Sequence, residues 1–369
     1  MANTVTISAL QQQIWSKELM QDVMRDVENA VRFMGTDENN IIQVSRDLAK
    51  RKGDQETFGL IARLTGDGVD GDDELEGNEE SMETYSDSVA IDQKRNGVRL
   101  KGKLDAQKVV YDQIKGAKGA LQVWMKEFIV QQIFLKLGGV TNTGLVNTNG
   151  DVIAASALWS NTPDYIPDAD TAAGSGKRYL CANASGAASL GAGDTMTLDL
   201  VTKAATKAKL AFPKIQPLSV GGDDFYVMYL HPLQARDIRT SSDWKTAQEY
   251  GQLRGENNPV FRGALGYWSN VLLLENEFAP FLDISVAGNS FRGSAVGTAY
   301  AHDAARAVLC GRQACLYAEV NDPQALTVET FDYGNKDGVA ASLIGGFAKA
   351  MFNSLEFGVV AVDSAVTNS

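Results

Sequence analysis

Residues Asp105–Leu137, DAQKVVYDQIKGAKGALQVWMKEFIVQQIFLKL, decide how the rest of the chain is read. Apolar or small residues recur at Val110, Ile114, Ala117, Leu121, Trp124, Phe128 and Leu135. Steps of mostly three and four put these side chains on one face of an α-helix. Asp105 can cap the first turn, because its carboxylate accepts orphan backbone N–H bonds. Gly138-Gly139 can end the helix, since glycine enters the left-handed C′ conformation without a Cβ penalty. At 1.5 Å per residue this spine would run roughly 50 Å. Gly116 and Gly119 each cost about 1 kcal/mol relative to alanine, so the pattern predicts a bend or a close neighbour there. Taken alone, the stretch fits an ordinary long core helix equally well. The flanking sequence separates the two readings.

Upstream, residues 55–104 read as an extended two-stranded excursion. Phe58, Leu60, Ala62 and Leu64 alternate with polar positions, and Tyr85, Val89 and Ile91 alternate on the far side, which is the period of a strand. The phase slips at Asn96-Gly97. A β-bulge there is the favoured reading, and a second tight hairpin turn is the alternative. Between the strands lies TGDGVDGDDELEGNEESMETYSD. From Leu64 to Gln93 there are eleven acidic residues and no Lys or Arg, so this segment accounts for nearly all of the net charge of −12. Lys94, Arg95, Arg99, Lys101 and Lys103 follow at once. The excursion is therefore a charge dipole with an acidic tip and a basic stem. A lone two-stranded ribbon is marginal in water, so it is expected to lie on another surface.

Further out, residues 1–52 read as an arm, with a loose helical pattern at Ile14, Trp15, Leu19, Val23, Val27 and Val31 and a short strand near Ile41–Val44. So thin an apolar face needs something else to lie on. Val140–Gly193 is rich in Gly, Ala, Asn, Thr and Asp and reads as loops with short strands, such as Asp151–Ala155. Thr195–Ala211 is a second helix, stopped by Pro213 and Pro217. Phe225–Leu230 is a buried strand, His231-Pro232 opens a helix to about Arg239, and Val271–Leu274 and Ala299–Leu309 are further buried elements. At the C-terminus Leu316–Val320, Leu326–Tyr333, Ala340–Phe352 and Phe357–Val362 carry strand character. The last of these must pair back into an earlier sheet. The fold class is α+β.

Composition bounds the function. Of 369 residues 44% are hydrophobic and 22% charged, which is ordinary globular usage. The acidic balance argues against a nonspecific nucleic-acid binder held by a basic surface. No secretory signal opens the chain. No apolar run reaches eighteen residues, and Lys349 interrupts the nearest, Val339–Phe352. Cys181, Cys310 and Cys315 are odd in number with no CxxC pair, which favours free thiols. Two histidines, His231 and His302, cannot form a spaced metal pair and read as structural. Gly174–Arg178 resembles the end of a phosphate loop but has Arg178 where Ser or Thr must bind magnesium. Asp70, Asp72, Asp73, Glu74 and Glu76 are dense enough to test for calcium, but the ordered D-x-D-x-D-G loop is missing. A Cys310–Asp303–His302 grouping is conceivable and has no other support. No catalytic site, metal site or cofactor is read from the chain.

The order of parts is similar to the Hong Kong 97 capsid fold of tailed bacteriophages. Local sequence is more specific. WSKELMQDVMRD from Trp15, GDQETFGLIARLTGDGV from Gly53, EGNEE from Glu76 and YSDSVAIDQKRNGVRLKGKL from Tyr85 resemble the major capsid family of the coliphage N-four type. The match is strongest over residues 15–137 and resumes at Ala314–Val362. The weaker stretch from Val140 to about Thr195 is expected to hold an insertion. The resemblance implies an N-arm (1–52), an E-loop (53–104), a P-domain with the spine helix (105–195), an A-domain (196–313) and P-domain return strands with a C-terminal strand (314–369). It implies self-assembly through hexamers and pentamers into an icosahedral shell around double-stranded DNA, with scaffolding, portal and cement proteins as partners and no membrane. In this reading the tip acids Asp70, Asp72, Asp73, Glu74, Glu76, Glu79 and Glu80 face basic residues of a neighbour, the stem set Lys94, Arg95, Arg99, Lys101 and Lys103. Ile114, Gly116, Gly119, Leu121, Trp124 and Phe128 brace the wall. Two alternatives stand beside it: an encapsulin-like protein compartment, and a soluble calcium-binding or hydrolytic protein.

Overall fold

The computed structural model describes residues 22–28, 30–46, 53–61, 64, 66, 68–71, 75–82, 84–108, 112–139, 178–211, 214–251, 265–282, 300–320, 326–352 and 355–367. Asp72, Asp73, Glu74, Val110, the 1–21 part of the expected arm and most of the expected insertion lie outside them.

Two sheets organise the chain. The first has the order β1 (Met34–Gly35), β2 (Ile42–Ser45), β13 (Cys315–Glu319), β15 (Lys336–Lys349) and β14 (Leu326–Phe331), with β5 (Asp92–Arg99) also on β15. The second has the order β6 (Tyr179–Cys181), β18 (Val359–Ala365), β12 (Ala304–Cys310), β8 (Asp223–Leu230), β10 (Val271–Glu275) and β9 (Gly266–Trp268). β7 (Leu218–Val220) pairs with β8, β11 (Phe281–Leu282) with β12, and β16 (Met351–Phe352) with β17 (Leu355–Glu356). The closing strand β18 does return to an earlier sheet. It joins this second one, between β12 and β6, rather than the strands of residues 314–352.

The spine is shorter than its sequence pattern. A first helix, α1 (Lys103–Lys108), is separate from the long helix, α2 (Gln113–Gly138). Asp112, not Asp105, caps α2, accepting the N–H groups of Ile114 and Lys115 at 3.0 and 3.3 Å. Its 26 residues span about 39 Å. Gly139 closes it in the left-handed conformation, φ 61°, as expected. Ala117, Leu121, Met125, Phe128, Ile129, Ile133, Phe134 and Leu137 are buried against the first sheet and β8, β10 and β12, in one core. Gly116 and Gly119 are exposed, α2 is continuous through both, and a Cβ at either would meet no atom within 4 Å. The close neighbour expected there is absent among the described residues.

Residues 22–46 are not a detached arm. Residues 22–28 and 30–31 are helical, and Val23, Met24, Val27, Val31, Ile41, Ile42 and Val44 belong to the same core as α2. β2 pairs parallel with β13, Cys315 opposite Ile42. The described part of the thin apolar face, Val23, Val27 and Val31, does find a surface in its own chain. Tyr317 on β13 lies in this core, stacked on Phe347 at 4.3 Å, and its hydroxyl has no hydrogen-bond partner among the described residues. Replacing Tyr317 by Phe removes an unsatisfied hydroxyl without changing shape. It should stabilise the subunit by about 1 kcal/mol, read as a higher denaturant midpoint; a lower midpoint would show that the hydroxyl is engaged.

The second core lies on the other face of the second sheet, where α3 (Leu198–Leu210), α4 (Pro232–Thr240) and Trp244 of α5 (Ser242–Gly251) pack on Tyr226, Met228, Leu230, Leu309 and Val360. Lys349, which interrupts the apolar run of β15, is buried and ion-paired with Glu356. Among the described residues no helix is long and apolar enough to cross a membrane.

Candidate assembly surfaces

The excursion divides into two structures. β3 (Gln55–Ile61) and β4 (Thr84–Ala90) form an antiparallel hairpin in register from Gln55↔Ala90 to Ile61↔Thr84. Its root is anchored: Phe58 and Val89 are buried with Leu316, Ala318, Ala350 and Phe357, and the Asp87 carboxylate accepts the Met351 N–H at 2.9 Å. After Ile91 the chain leaves this pairing, and β5 lies antiparallel on β15 from Asp92↔Gly345 to Arg99↔Gly338. Asn96 and Gly97 sit in unbroken register opposite Ala341 and Ala340, so neither a bulge nor a hairpin turn occurs there. The change of phase is real, but it marks the change of partner strand at Ile91.

The described part of the acidic tip is braced from within. Leu75 to Asn78 make a turn, with Asn78 N–H donating to the Leu75 carbonyl at 3.0 Å and Gly77 at φ +89°. Glycine suits this position because other side chains rarely adopt positive φ. Glu79 accepts the Gly77 N–H at 2.8 Å and Glu80 the Gly66 N–H at 2.7 Å. These two carboxylates therefore hold their own loop, while Asp70 and Glu76 stand exposed. Among the described residues no group of His, Cys, Asp and Glu could hold a metal ion.

The basic stem is split by the pleat of β5. Lys94, opposite the buried Leu343, turns to the α2 side and lies 5.7 Å over the Phe128 ring. Arg95 and Arg99, opposite Ser342 and Gly338, share the other face of the sheet. Arg99 lies 4.6 Å over Phe331. Lys101 and Lys103 are exposed beyond the strand, Lys103 opening α1. The period of two alone assigns Lys94 to one face and both arginines to the opposite one. On the outer edge Asp92 and Asn96 accept the N–H of the next residue at 2.7 and 2.9 Å, which blunts β5 against unwanted pairing.

Sequence reasoning missed the joint between α2 and the second sheet. Arg306 on β12 faces Asp363 on β18 in register and binds both its oxygens, each at 2.7 Å. A further arm of the guanidinium donates to the Gly138 carbonyl at the end of α2, at 2.9 Å. Tyr179 and Tyr300 donate to Asp363 at 2.9 and 2.5 Å. Arg306 and Asp363 are completely buried. Burial works against the charge on Arg306, but Asp363, Tyr300 and Tyr179 together outweigh it and raise its pKa, while burial raises that of Tyr179. A charged residue in an otherwise apolar strand was the available signal; its partner is 57 residues away.

The candidate catalytic groups serve structure. His231 caps α4, its Nδ1 accepting the Leu233 N–H at 3.3 Å, and stacks on Phe281. Cys310 ends β12 in the core, whereas His302 and Asp303 precede its start, roughly 20 Å away along an extended strand. All three cysteines are free and buried. Burial lowers the His231 pKa from 6.5 to about 4. Between those pH values the unfolded chain binds a proton that the folded one excludes, so stability falls as pH drops from 6.5 toward 4. His231→Asn keeps a capping acceptor and should flatten this component, on the order of 1–3 kcal/mol. Unfolding free energies of the two chains measured across that range would run parallel if the idea were wrong.

A hairpin standing on a two-sheet body, with His231 capping a helix and Arg306 and Lys349 held in buried ion pairs, suits a structural subunit. Comparison with known proteins agrees. The profile of the family described as Phage capsid protein matches residues 3–368. The major capsid protein of Pseudomonas phage KPP25 is 28% identical over 378 residues, covering 98% of this chain and 96% of that one. The capsid of Ralstonia phage GP4 superposes with TM-score 0.74 at 29% identity, covering 92% of this chain and 91% of that one. The Cyanophage Pam1 capsid shares the fold, with TM-score 0.69, 24% identity and 92% coverage of each chain. The class is thus the shell-forming subunit with a Hong Kong 97-like fold. The chain belongs to the Phage capsid protein family; it is a phage major capsid protein, and its place is the capsid of the virion.

Proposed function

We propose that this subunit closes an icosahedral head around double-stranded DNA through hexamers and pentamers of itself, without a catalytic step, and with scaffolding, portal and cement proteins as partners. The hairpin β3–β4 and its tip serve as the E-loop, α2 with the first sheet as the P-domain, and the second sheet with α3 to α5 as the A-domain. The observation that carries this reading is the tip itself. It is acidic and internally braced, yet Leu64, Leu75 and Met82 are 57–63% exposed on it. Apolar side chains on a formed turn are what an intersubunit contact buries. The exposed acids of one copy then face the basic stem of the next. Each exposed pair contributes only about 0–1 kcal/mol, but a repeated network sets register and makes assembly depend on salt.

Negative-stain microscopy of the purified full chain tests the shell: closed particles are expected, whereas a product remaining at the 39.7 kDa monomer would overturn it. Particles filled with protein cargo and lacking DNA would instead support the compartment reading. Reversing the exposed Glu76 to lysine, which leaves the bracing carboxylates of Glu79 and Glu80 in place, should reduce shell yield and shift its salt dependence. Unchanged salt response between about 0.05 and 1 M, where the Debye length shrinks to about 3 Å, would sink the electrostatic contact.

A further inference from the structure

The face of the first sheet turned away from α2 carries a trough. Its floor is β15, where Gly338, Ala340 and Ser342 alternate with the core positions Val339, Ala341 and Leu343. Gly97 of β5 extends the floor, opposite Ala340. Arg95 and Arg99 form one wall, and Thr327, Glu329 and Phe331 of β14 the other. Two adjoining hollows of about 230 and 240 Å³ lie along it. Gly338 is required for this shape, since a Cβ there would come within 2.8 Å of the Phe331 ring. Without it the ring lies down beside the floor, under Arg99.

We propose that this trough seats the Leu75–Asn78 turn of a second copy of the chain, with Leu75 against Phe331 and Glu76 between Arg95 and Arg99. The inference rests on the shell reading above and adds the residues that meet. Three features select this occupant. The trough joins an apolar ring to two guanidinium groups, and the turn presents a 59% exposed leucine next to an exposed carboxylate. Small floor residues let a backbone turn approach closely. Glu329 makes the β14 wall acidic, so a carboxylate is steered to the β5 wall, where both arginines stand. Glu79 and Glu80 are engaged within the tip, which leaves Asp70 and Glu76 as the described acids to be matched.

The test uses full-length chains, with wild-type shells as the control for assembly itself. R95E/R99E and D70K/E76K should each cut shell yield about tenfold, and the combined quadruple variant, in which every such contact is swapped in sign, should recover most of it. In a second arm, L75C/F331C shells under mild oxidation should give a ladder of disulfide-linked chains, the native cysteines being buried. Wild-type shells together with unaffected charge variants, no recovery in the quadruple variant, or no ladder would overturn the seat while leaving the shell reading intact. Normal shells of R95E/R99E that hold less DNA would overturn it too, by assigning the arginines to the packaged polyanion.

Discussion

Replacing Arg306 by methionine should lower the unfolding free energy of the subunit by about 3–5 kcal/mol, because it leaves Asp363 charged and buried without its partner. The loss should reach beyond the two strands. Arg306 also holds the Gly138 carbonyl, so the end of α2 loses its tie to the second sheet. Asp363→Asn should destabilise for the reciprocal reason and leave Tyr179 and Tyr300 facing an amide in place of a carboxylate. The double variant Arg306→Met/Asp363→Leu should be less damaged than either single one, since well-packed apolar groups often replace a buried pair at little cost. Guanidinium unfolding of unassembled subunits measures all three. Additive losses in the double variant would show that the pair is not coupled. Arg306→Lys keeps the charge but not the two-pronged geometry, and should fall between wild type and methionine.

The second large effect is near the C-terminal end of α2. Phe134 is completely buried, edge-on to Tyr229 at 5.2 Å, where the helix meets β8. Phe134→Ala should cost about 3–5 kcal/mol through lost transfer energy and the cavity left behind, and shell yield should fall with subunit stability. Val123, one of the exposed residues of the same helix, is the control: Val123→Ala should change subunit stability by no more than about 0.5 kcal/mol. If Val123→Ala nevertheless reduces shell yield, the exposed face of α2, with Gly116 and Gly119, is itself a contact between copies. Equal unfolding midpoints for Phe134→Ala and wild type would refute the packing argument.

Local signals were legible where a single element carries its own pattern. The 3.6-residue repeat located α2, and Gly138-Gly139 marked its end. Period two located β3 and β4, and the turn residues around Phe225–Leu230 bounded β8. The start of α2 was misplaced because Asp105 and Asp112 are equally good caps by residue type; only the separate short helix α1 distinguishes them. Asn96-Gly97 was misread for a related reason. A break in strand phase shows that something changes, not that the change is a swap from β3 to β15. Of the assembly surface, the charge dipole was visible as a run of acids followed by a run of bases. The period of two already separates Lys94 from Arg95 and Arg99, but that Glu79 and Glu80 brace their own loop depended on contacts.

The amino-acid sequence by itself determined the element types, the long apolar helix, the acidic tip with its basic stem, and the likeness to phage capsid proteins, since each is written in residues close together along the chain. Tertiary structure alone decided which strands meet. Residues 42–45 joined β13, β5 joined β15, and β18 joined β12 and β6, across separations that no local periodicity encodes. The physical reason is that strand pairing is a long-range choice, made by burying one face of each sheet and satisfying backbone groups on both edges. That choice drew the described part of the expected arm, within residues 22–46, into the core, placed Arg306 opposite Asp363, and set two arginines beside Phe331 on one open face.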